Sequence, residues 1–272
     1  MKFNAACIQL NSRDNLMDNL AQAQHYISEA KSAGAELIIT PENTALMVDS
    51  RVDYTNHRYT AAEHPALLSY QKQAKELDVW LVIGSMAVVV SHSNKLANRQ
   101  FVIDNKGEIV TTYDKLHLFD VTLPHGEEYK ESSRSVAGSS MALCTTPWGK
   151  LGLTICYDIR FPHLYRQLAK NGASFITIPS AFTKVTGEAH WQVLVRARAI
   201  ETGCYIFAAA QTGVHPGDRH TYGHSLIVDP WGKILADGGR EVGFIMAEID
   251  PQMVVEIRQR IPSLQHDNPI FG

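Results

Sequence analysis

The residues of this chain that could do chemistry centre on a cysteine that follows a short apolar run. Residues 151–162 read LGLTICYDIRFP, so the run ends at Cys156, a polar turn with Asp158 and Arg160 follows, and a helix-compatible segment begins at Pro162. A cysteine where a buried strand meets a loop can be held rigidly and still face a pocket, as a catalytic thiol requires. Cysteine is also among the residue types most often buried as simple packing, so Cys156 alone leaves both interpretations open.

Two other ionisable side chains are predicted at the ends of strands. Glu42 follows a strand that ends on the sequence LIITP, and Lys115 follows the second strand of a hairpin. Each could have an ordinary role, Glu42 as an acid at a helix N-terminus and Lys115 as a solvated charge. In an open α/β fold the functional crevice lies at the carboxyl ends of the strands, so we expect Glu42, Lys115 and Cys156 to meet in one site.

A thiol, a carboxylate and an ammonium group in one site could hydrolyse an amide. The thiol is only partly ionised near neutral pH, and Glu42 could take its proton if burial raises the pKa of that carboxylate. Lys115 and a backbone N–H after Cys156, predicted at Tyr157, could stabilise the oxyanion of the tetrahedral intermediate. Collapse would release ammonia or an amine and leave a thioester, which Glu42 would hydrolyse by activating water. This chemistry requires no metal and no organic cofactor.

Alternating strand-like and helix-like segments must position these residues, and their order occurs twice. In the first half we predict strands over 2–10, 35–40 and 79–90, helices over 15–33 and 65–77, and a hairpin over 100–113. In the second half we predict strands over 151–156, 172–179 and 204–211, helices over 162–170 and 190–202, and a hairpin over 225–235. The segment GASFITIP also mirrors GAELIITP, and IVDPWGKI mirrors VIDNKGEI. The order predicts one α/β domain over residues 1–272, with two packed sheets that helices cover on their outer faces.

The composition excludes several classes of protein. The chain has 272 residues, of which 45% are hydrophobic, so it can bury a large core without disulfides. Its net charge of −3 and the absence of a basic stripe argue against a nucleic-acid partner. The start has no signal-peptide core and the longest apolar run, 79–90, is too short to cross a bilayer, so we expect no membrane partner. Four cysteines without paired spacing indicate reduced thiols and a cytoplasmic protein.

Three spaced motifs resemble those of a known family. They are LIITPEN around Glu42, TTYDKLHLFD around Lys115 and LTICYDIRFP around Cys156, and they are similar to the Glu-Lys-Cys motifs of the nitrilase superfamily of carbon–nitrogen hydrolases. The resemblance extends over essentially the whole chain. It implies a four-layer α-β-β-α sandwich with an internal pseudo-two-fold repeat, a homo-oligomer of two or more copies, and a small-molecule amide as substrate.

The same resemblance implies further site residues. The superfamily uses a second glutamate to orient the triad, and the match in this chain is Glu131, in KES, rather than Glu127 or Glu128. The segments PSAFTKVTGEAHWQVLVRARAIET and YGHSLIVDPWG are similar to the Nit branch of amidases, in which Phe182 and Thr186 match residues that line the substrate pocket.

Arg160 matches the Nit-branch position that meets a substrate carboxylate. A guanidinium four residues after the thiol could clamp such a group bidentately, and an ion pair with Asp158 is the alternative. Within the branch, IETGCYIFAAAQTG and the ending LQHDNPIFG are more similar to deaminated glutathione amidases than to ω-amidases. Asn43-Thr44 departs from the branch, in which a small residue and then an aromatic or aliphatic one follow the first glutamate, so the pocket wall beside Glu42 is expected to be more polar.

Other functions stay open at this point. An ω-amidase acting on dicarboxylic acid monoamides, an N-carbamoyl amino acid hydrolase and a non-catalytic binding protein would all retain the fold. His215, His220 and His224 lie close together, but no HExxH pattern or paired-cysteine spacing accompanies them, so no metal site is predicted. Ser85 and Ser180 do not lie in G-x-S-x-G turns, which argues against a serine hydrolase.

Overall fold

A computed structural model describes residues 1–48, 57–91, 93–124 and 126–268 of the chain. The last four residues of the ending LQHDNPIFG, 269–272, lie outside the described residues. Among those described, no helix has both the length and the apolar character that crossing a membrane requires.

Two mixed sheets form the centre of the molecule. The first contains β1 (Phe3–Gln9), β2 (Leu37–Ile39), β3 (Trp80–Val89), β4 (Leu96–Ile103) and β5 (Ile109–Asp114), with β17 (Gly243–Ile249) beside β1 and β8 (Ser135–Val136) beside β4. The second contains β9 (Ala142–Thr146), β10 (Gly149–Leu153), β11 (Ala173–Thr177), β12 (Tyr205–Ala208), β15 (Leu226–Val228) and β16 (Ile234–Asp237).

Five α-helices and two small hairpins complete the described part of the chain. The helices are α1 (Leu16–Ser32), α2 (Pro65–Leu77), α3 (Pro162–Lys170), α4 (Lys184–Thr202) and α5 (Pro251–Arg260). The hairpins are β6 (Asp120–Thr122) with β7 (Glu128–Lys130), and β13 (Thr212–His215) with β14 (Arg219–Tyr222). The strands β6 and β7 therefore give the described part of the segment that joins the two halves an ordered structure of its own.

The two sheets repeat one strand order. The first runs β17-β1-β2-β3-β4-β5, and the second runs β9-β10-β11-β12-β15-β16. In each sheet the second, third and fourth strands of this order are parallel, and the remaining neighbours are antiparallel. The similarity of GAELIITP and GASFITIP corresponds to this repeat, because these segments contain β2 and β11 at equivalent places.

Side chains that alternate along a strand face different layers of the molecule, as those of β1 show. Ala5 and Cys7 belong to the core that also contains β10, β11 and β12, whereas Ala6 and Ile8 pack with α1 and α2. Successive side chains of a strand point to opposite faces, so one face of this sheet meets the second sheet and the other meets helices. Helices α3 and α4 pack on the second sheet. The predicted α/β fold, with two sheets flanked by helices, is confirmed.

Some elements differ from their predicted positions. Helix α4 begins at Lys184, six residues before the predicted start, because Thr183 caps it by accepting from the backbone N–H of Thr186. Gly187 lowers the helical propensity of this turn, but it is needed, since a Cβ there would overlap the side chain of Tyr222. The strands β9 and β17 and the helix α5 were not predicted.

Candidate active site

Most of the predicted site residues line one cavity of about 580 Å³. Of the eight residues, seven contribute to its wall: Glu42, Lys115, Glu131, Cys156, Tyr157, Phe182 and Thr186. The eighth, Arg160, lies behind that wall, with its guanidinium 5.4 Å from the ring centroid of Phe182 and 6.0 Å from that of Tyr157.

Cys156 lies at a sharp turn between β10 and α3. Strand β10 ends at Leu153, and Cys156 begins a short 3₁₀ turn that ends at Arg160. Its φ of 47° is in the left-handed region, which residues other than glycine seldom adopt, and its N–H donates to the carbonyl of Pro179 at 2.9 Å. The side chain is buried but contributes to the cavity wall. A strained turn that presents a nucleophile above a sheet is a known arrangement in hydrolases.

The buried carboxylate of Asp158 joins this turn to the segment that carries Lys115. It accepts from the hydroxyl of Tyr113 at 2.7 Å, from the N–H of Ile155 at 2.8 Å, and from the N–H of His117 at 3.1 Å. Nδ1 of His117 lies 2.7 Å from the same carboxylate. An ion pair with Asp158 was the alternative to a carboxylate clamp at Arg160. Nη2 of Arg160 lies 3.3 Å from Nδ1 of His190.

Glu42 follows β2 and is held by three donors. Its Oε1 accepts from Nζ of Lys115 at 2.8 Å and from Nδ2 of Asn98 at 3.0 Å, and its Oε2 accepts from the N–H of Ala181 at 2.9 Å. The side chain is buried. Because Ala181 lies just after β11, Glu42 is fixed by groups from both halves of the chain.

Strand β3 passes close to the backbone that leads from β2 to Glu42. A Cβ at Gly84 would overlap the carbonyl oxygens of Thr40 and Pro41, so only glycine lets β3 pass this near. The N–H of Gly84 donates to the hydroxyl of Thr40 at 3.0 Å, and Nε2 of Gln211 donates to the carbonyl of Glu42 at 3.0 Å. The backbone on either side of the carboxylate is therefore fixed as well.

Lys115 lies between two carboxylates. It directly follows β5, and its Nζ donates to Glu42 and to Oε2 of Glu131, each at 2.8 Å. Glu131 also accepts from the N–H of Phe119 at 2.7 Å and from Asn98 at 3.0 Å. An ammonium group has three N–H donors, so these two ion pairs leave one for a ligand.

The pKa values of the three groups follow from burial and from these contacts. Burial alone would raise the pKa of Glu42, but the charge of Lys115 and its hydrogen bond outweigh burial and hold that pKa below its usual value. The raised pKa that would let Glu42 take the thiol proton is therefore absent from the resting site. Burial opposes the charge of Lys115, but Glu131 and Glu42 raise its pKa above the usual value. Burial, and next the charge of Glu42, raise the pKa of the Cys156 thiol.

The resting site thus holds an ionised carboxylate, an ammonium group and a neutral thiol. Because the thiol pKa is raised and the carboxylate pKa is lowered, proton transfer between them is unfavourable before a substrate binds. It becomes favourable only as sulfur forms a bond to an electrophilic carbon. The arrangement is suited to attack by a thiol with simultaneous removal of its proton.

Sequence reasoning missed three contributors to this geometry. Asn98 lies within β4 and bridges Glu42 and Glu131, and nothing in the linear sequence distinguishes it from other polar residues in strands. Ala181 acts through its backbone, which no side-chain pattern can reveal. Arg219 lines the cavity, although its segment, HPGDRH, drew attention only for its histidines. The glycine turn before Arg219 can be read from the sequence, but the cavity that Arg219 lines cannot.

The three clustered histidines have separate surroundings. His215 is buried, with Nδ1 2.8 Å from the carbonyl oxygen of Ser12 and Nε2 2.7 Å from the hydroxyl of Thr221, and burial lowers its pKa to about 4. Nδ1 of His224 lies 2.9 Å from Asp237. In the part of the chain that the structure describes, no group of three or more His, Cys, Asp or Glu side chains could hold a metal ion.

A family model and curated proteins match almost the whole chain. The family model described as carbon-nitrogen hydrolase matches residues 4–259. The deaminated glutathione amidase of Synechocystis sp. is 43% identical over 96% of this chain and 97% of its own length. The deaminated glutathione amidase of Yersinia enterocolitica is 41% identical over 97% of this chain and 92% of its own.

Solved structures show the same fold. The C. elegans NitFhit protein superposes with a TM-score of 0.90 at 36% identity, over 100% of this chain and 66% of that longer chain. Saccharomyces cerevisiae Nit3, a member of branch 10 of the nitrilase superfamily, gives a TM-score of 0.85 at 29% identity, over 96% of this chain and 94% of its own. The likeness therefore includes both sheets and the loops that carry the candidate site.

Proposed function

Because this chain belongs to the carbon-nitrogen hydrolase family, within the nitrilase superfamily, we propose that it hydrolyses the amide bond of deaminated glutathione. The observation that carries the proposal is the buried contact of Lys115 with Glu42 at 2.8 Å on the wall of the cavity that also contains Cys156. Relatives called deaminated glutathione amidase, 38–43% identical to this chain, support the choice of substrate.

We propose that the first half-reaction forms a thioester. The Sγ atom of Cys156 attacks the amide carbon while its proton passes to Glu42, and the carbonyl oxygen becomes an oxyanion. The third N–H of Lys115 and the backbone N–H of Tyr157 stabilise that charge. As negative charge develops on the oxyanion, it shares the positive charge of Lys115 with Glu42, so the pKa of Glu42 rises when the proton arrives. Glu42 then protonates the leaving nitrogen, the C–N bond breaks, and an amine is released.

The second half-reaction hydrolyses the thioester. Glu42, again a carboxylate, takes a proton from water as the water oxygen attacks the thioester carbon. The C–S bond breaks, the acid leaves and the thiol is restored. Glu131 keeps Lys115 between the two carboxylates throughout. Every proton and electron pair is returned, so the cycle consumes only water and the amide.

We propose that the other predicted side chains bind the substrate. Phe182 and Thr186 line the cavity, and the Arg160 guanidinium places positive charge directly behind Phe182 and Tyr157. Arg160→Ala is expected to raise KM for amides that bear a carboxylate. An unchanged KM would remove Arg160 from the substrate site.

The decisive experiment follows the products with deaminated glutathione as substrate. Purified protein should release a new amine and a new acid, detected by mass spectrometry, together with an acyl adduct on Cys156. Cys156→Ala should abolish both products, and Glu42→Gln should abolish the adduct while the fold is retained. Monoamides of dicarboxylic acids and N-carbamoyl amino acids serve as competing substrates. A higher kcat/KM for one of them would reassign the substrate, and no product from any would favour a non-catalytic binding protein.

We also propose that the chain is a single domain over residues 1–272 and works in the cytoplasm as a homo-oligomer. All four cysteines are free and buried, as in a reducing compartment. Val193 and Ile200 of α4, together with Trp231, expose 68%, 55% and 57% of their surface and form an apolar patch that a second copy could cover. Light scattering of wild type and Val193→Glu tests this, since a monomeric wild type would refute it.

A further inference from the structure

Arg219 is a cation in the cavity wall that the proposed reaction does not use. Arg219 is the first residue of β14. In the same strand the backbone N–H of Tyr222 donates to the carbonyl of Phe182 at 3.0 Å, which fixes β14 beside the segment that carries Ala181. Nη2 of Arg219 donates to the carbonyl of Ala181 at 2.7 Å, and the guanidinium lies 5.4 Å from the ring centroid of Tyr129. The side chain is thus held in place on the cavity wall.

The guanidinium has unused capacity for hydrogen bonds. Its Nε is buried and has no hydrogen-bond partner among the described residues, and no carboxylate of that part of the chain forms an ion pair with Arg219. Lys115, in contrast, already contacts two carboxylates, and Arg160 lies behind the aromatic wall. A buried donor without an acceptor is unfavourable, so this position is suited to a ligand that brings one.

One peptide group links Arg219 to the reacting centre. The N–H of Ala181 donates to Glu42 at 2.9 Å, and the carbonyl of the same residue accepts from Arg219. Arg219 and Glu42 therefore bond to the carbonyl and the N–H of one residue, and the charge of Arg219 also contributes to lowering the pKa of Glu42. A carboxylate bound by Arg219 and an amide held against Cys156 would therefore occupy the same cavity.

We propose that Arg219 binds a carboxylate of the substrate and thereby selects anionic amides over neutral ones. A guanidinium presents adjacent N–H groups in a planar fork that matches the two oxygens of a carboxylate. The inference rests on the proposed amidase function and names a residue that determines its specificity. Deaminated glutathione retains both terminal carboxylates of glutathione, one on the acyl side of the cleaved amide and one on the leaving-group side.

Two pairs of substrates, each differing in one carboxylate, test the proposal and distinguish the two sides. The acyl-side pair is the monoamide of succinic acid and butyramide. The leaving-group pair is deaminated glutathione and its derivative with a C-terminal carboxamide. In Arg219→Met, kcat/KM should fall about 10- to 100-fold for the member of one pair that bears the varied carboxylate and change less than about threefold for the member that lacks it. The pair that shows this difference identifies the carboxylate.

The controls separate this inference from the amidase proposal. Arg240→Met removes an exposed arginine that pairs with Glu188 and does not line the cavity, and it should leave both pairs unchanged. Equal losses for the two members of both pairs in Arg219→Met would show a structural role and overturn the inference. If wild type cleaves none of the four compounds, the amidase proposal fails. Calorimetric titration with glutarate then tests carboxylate binding by Arg219 on its own. Equal affinity for glutarate in wild type and Arg219→Met would refute carboxylate binding by this residue.

Discussion

Replacing Asn98 with aspartate should change the pH dependence of the enzyme. The amide Nδ2 of Asn98 donates to Glu42 and to Glu131, each at 3.0 Å, and its buried Oδ1 has no hydrogen-bond partner among the residues that the structure describes. Asn98→Asp keeps the shape of the side chain but replaces a donor by a third carboxylate beside one ammonium group. Two like charges about 3 Å apart repel by about 5 kcal/mol at an effective dielectric constant of about 20.

That repulsion is relieved when one of the carboxylates takes up a proton. Glu42 would then be protonated over part of the range in which the wild type holds it ionised, and a protonated Glu42 cannot act as a base. We expect the acidic limb of the kcat/KM profile to lie at higher pH in Asn98→Asp than in the wild type. The direction follows from the raised pKa of Glu42, because a base with a higher pKa stays protonated, and therefore inactive, up to a higher pH.

Asn98→Ala serves as the matched control because it removes the donor without adding charge. Losing the hydrogen bond to the ionised Glu42 costs about 1.5–3 kcal/mol, which corresponds to a loss of about 10- to 150-fold in kcat/KM. Because Asn98→Ala adds no charge, it should move the acidic limb of the profile less than Asn98→Asp does. Thermal unfolding at neutral pH checks that both variants fold. A wild-type pH profile in Asn98→Asp, or an acidic limb that moves no further than that of Asn98→Ala, would refute this reasoning.

Three further outcomes are expected. Glu131→Gln should lower kcat/KM about 10- to 100-fold, because Lys115 loses one of its two ion pairs, whereas the exposed Glu128→Gln should change it less than about twofold. His215 has a pKa of about 4 in the folded protein and an ordinary value of 6.5, so the unfolded chain binds more protons between these values and stability is lost as pH falls through them. Urea unfolding should show about 2 kcal/mol less stability at pH 5 than at pH 8 from this residue, and His215→Gln should lack that part. Gly84→Ala should unfold at lower temperature and lose activity, since its Cβ would overlap the backbone before Glu42, and a wild-type melting temperature would contradict the close approach.

The sequence predicted the strands that lead to the site because apolar runs and turn residues mark them, although β10 ends at Leu153, three residues before its predicted end. Lys115 directly follows β5, and Glu42 and Cys156 each lie three residues beyond a strand. Tertiary contacts decided what local patterns could not. Asn98 and Arg219 became recognisable only when β4 and β14 were brought to the cavity.

The pKa of Glu42 shows the same limit. Burial could be expected from its place after an apolar strand, and burial alone would raise the pKa. The opposite shift depends on the 2.8 Å contact with Lys115, 73 residues away. The direction of this pKa shift depends on the geometry between two residues that are distant in sequence, so neither motif alone can predict it.

The pairing of β1 with β17 has a consequence for the synthesis of this protein. Phe3 pairs with Ile249, so β1 has an open edge until β17 has left the ribosome. Contacts between such distant residues form slowly, and an apolar strand with an open edge promotes aggregation. A chain that stops before Gly243 would contain every residue of the candidate site and still expose β1. We expect such products to aggregate, so that translation must reach the last strand before any activity appears.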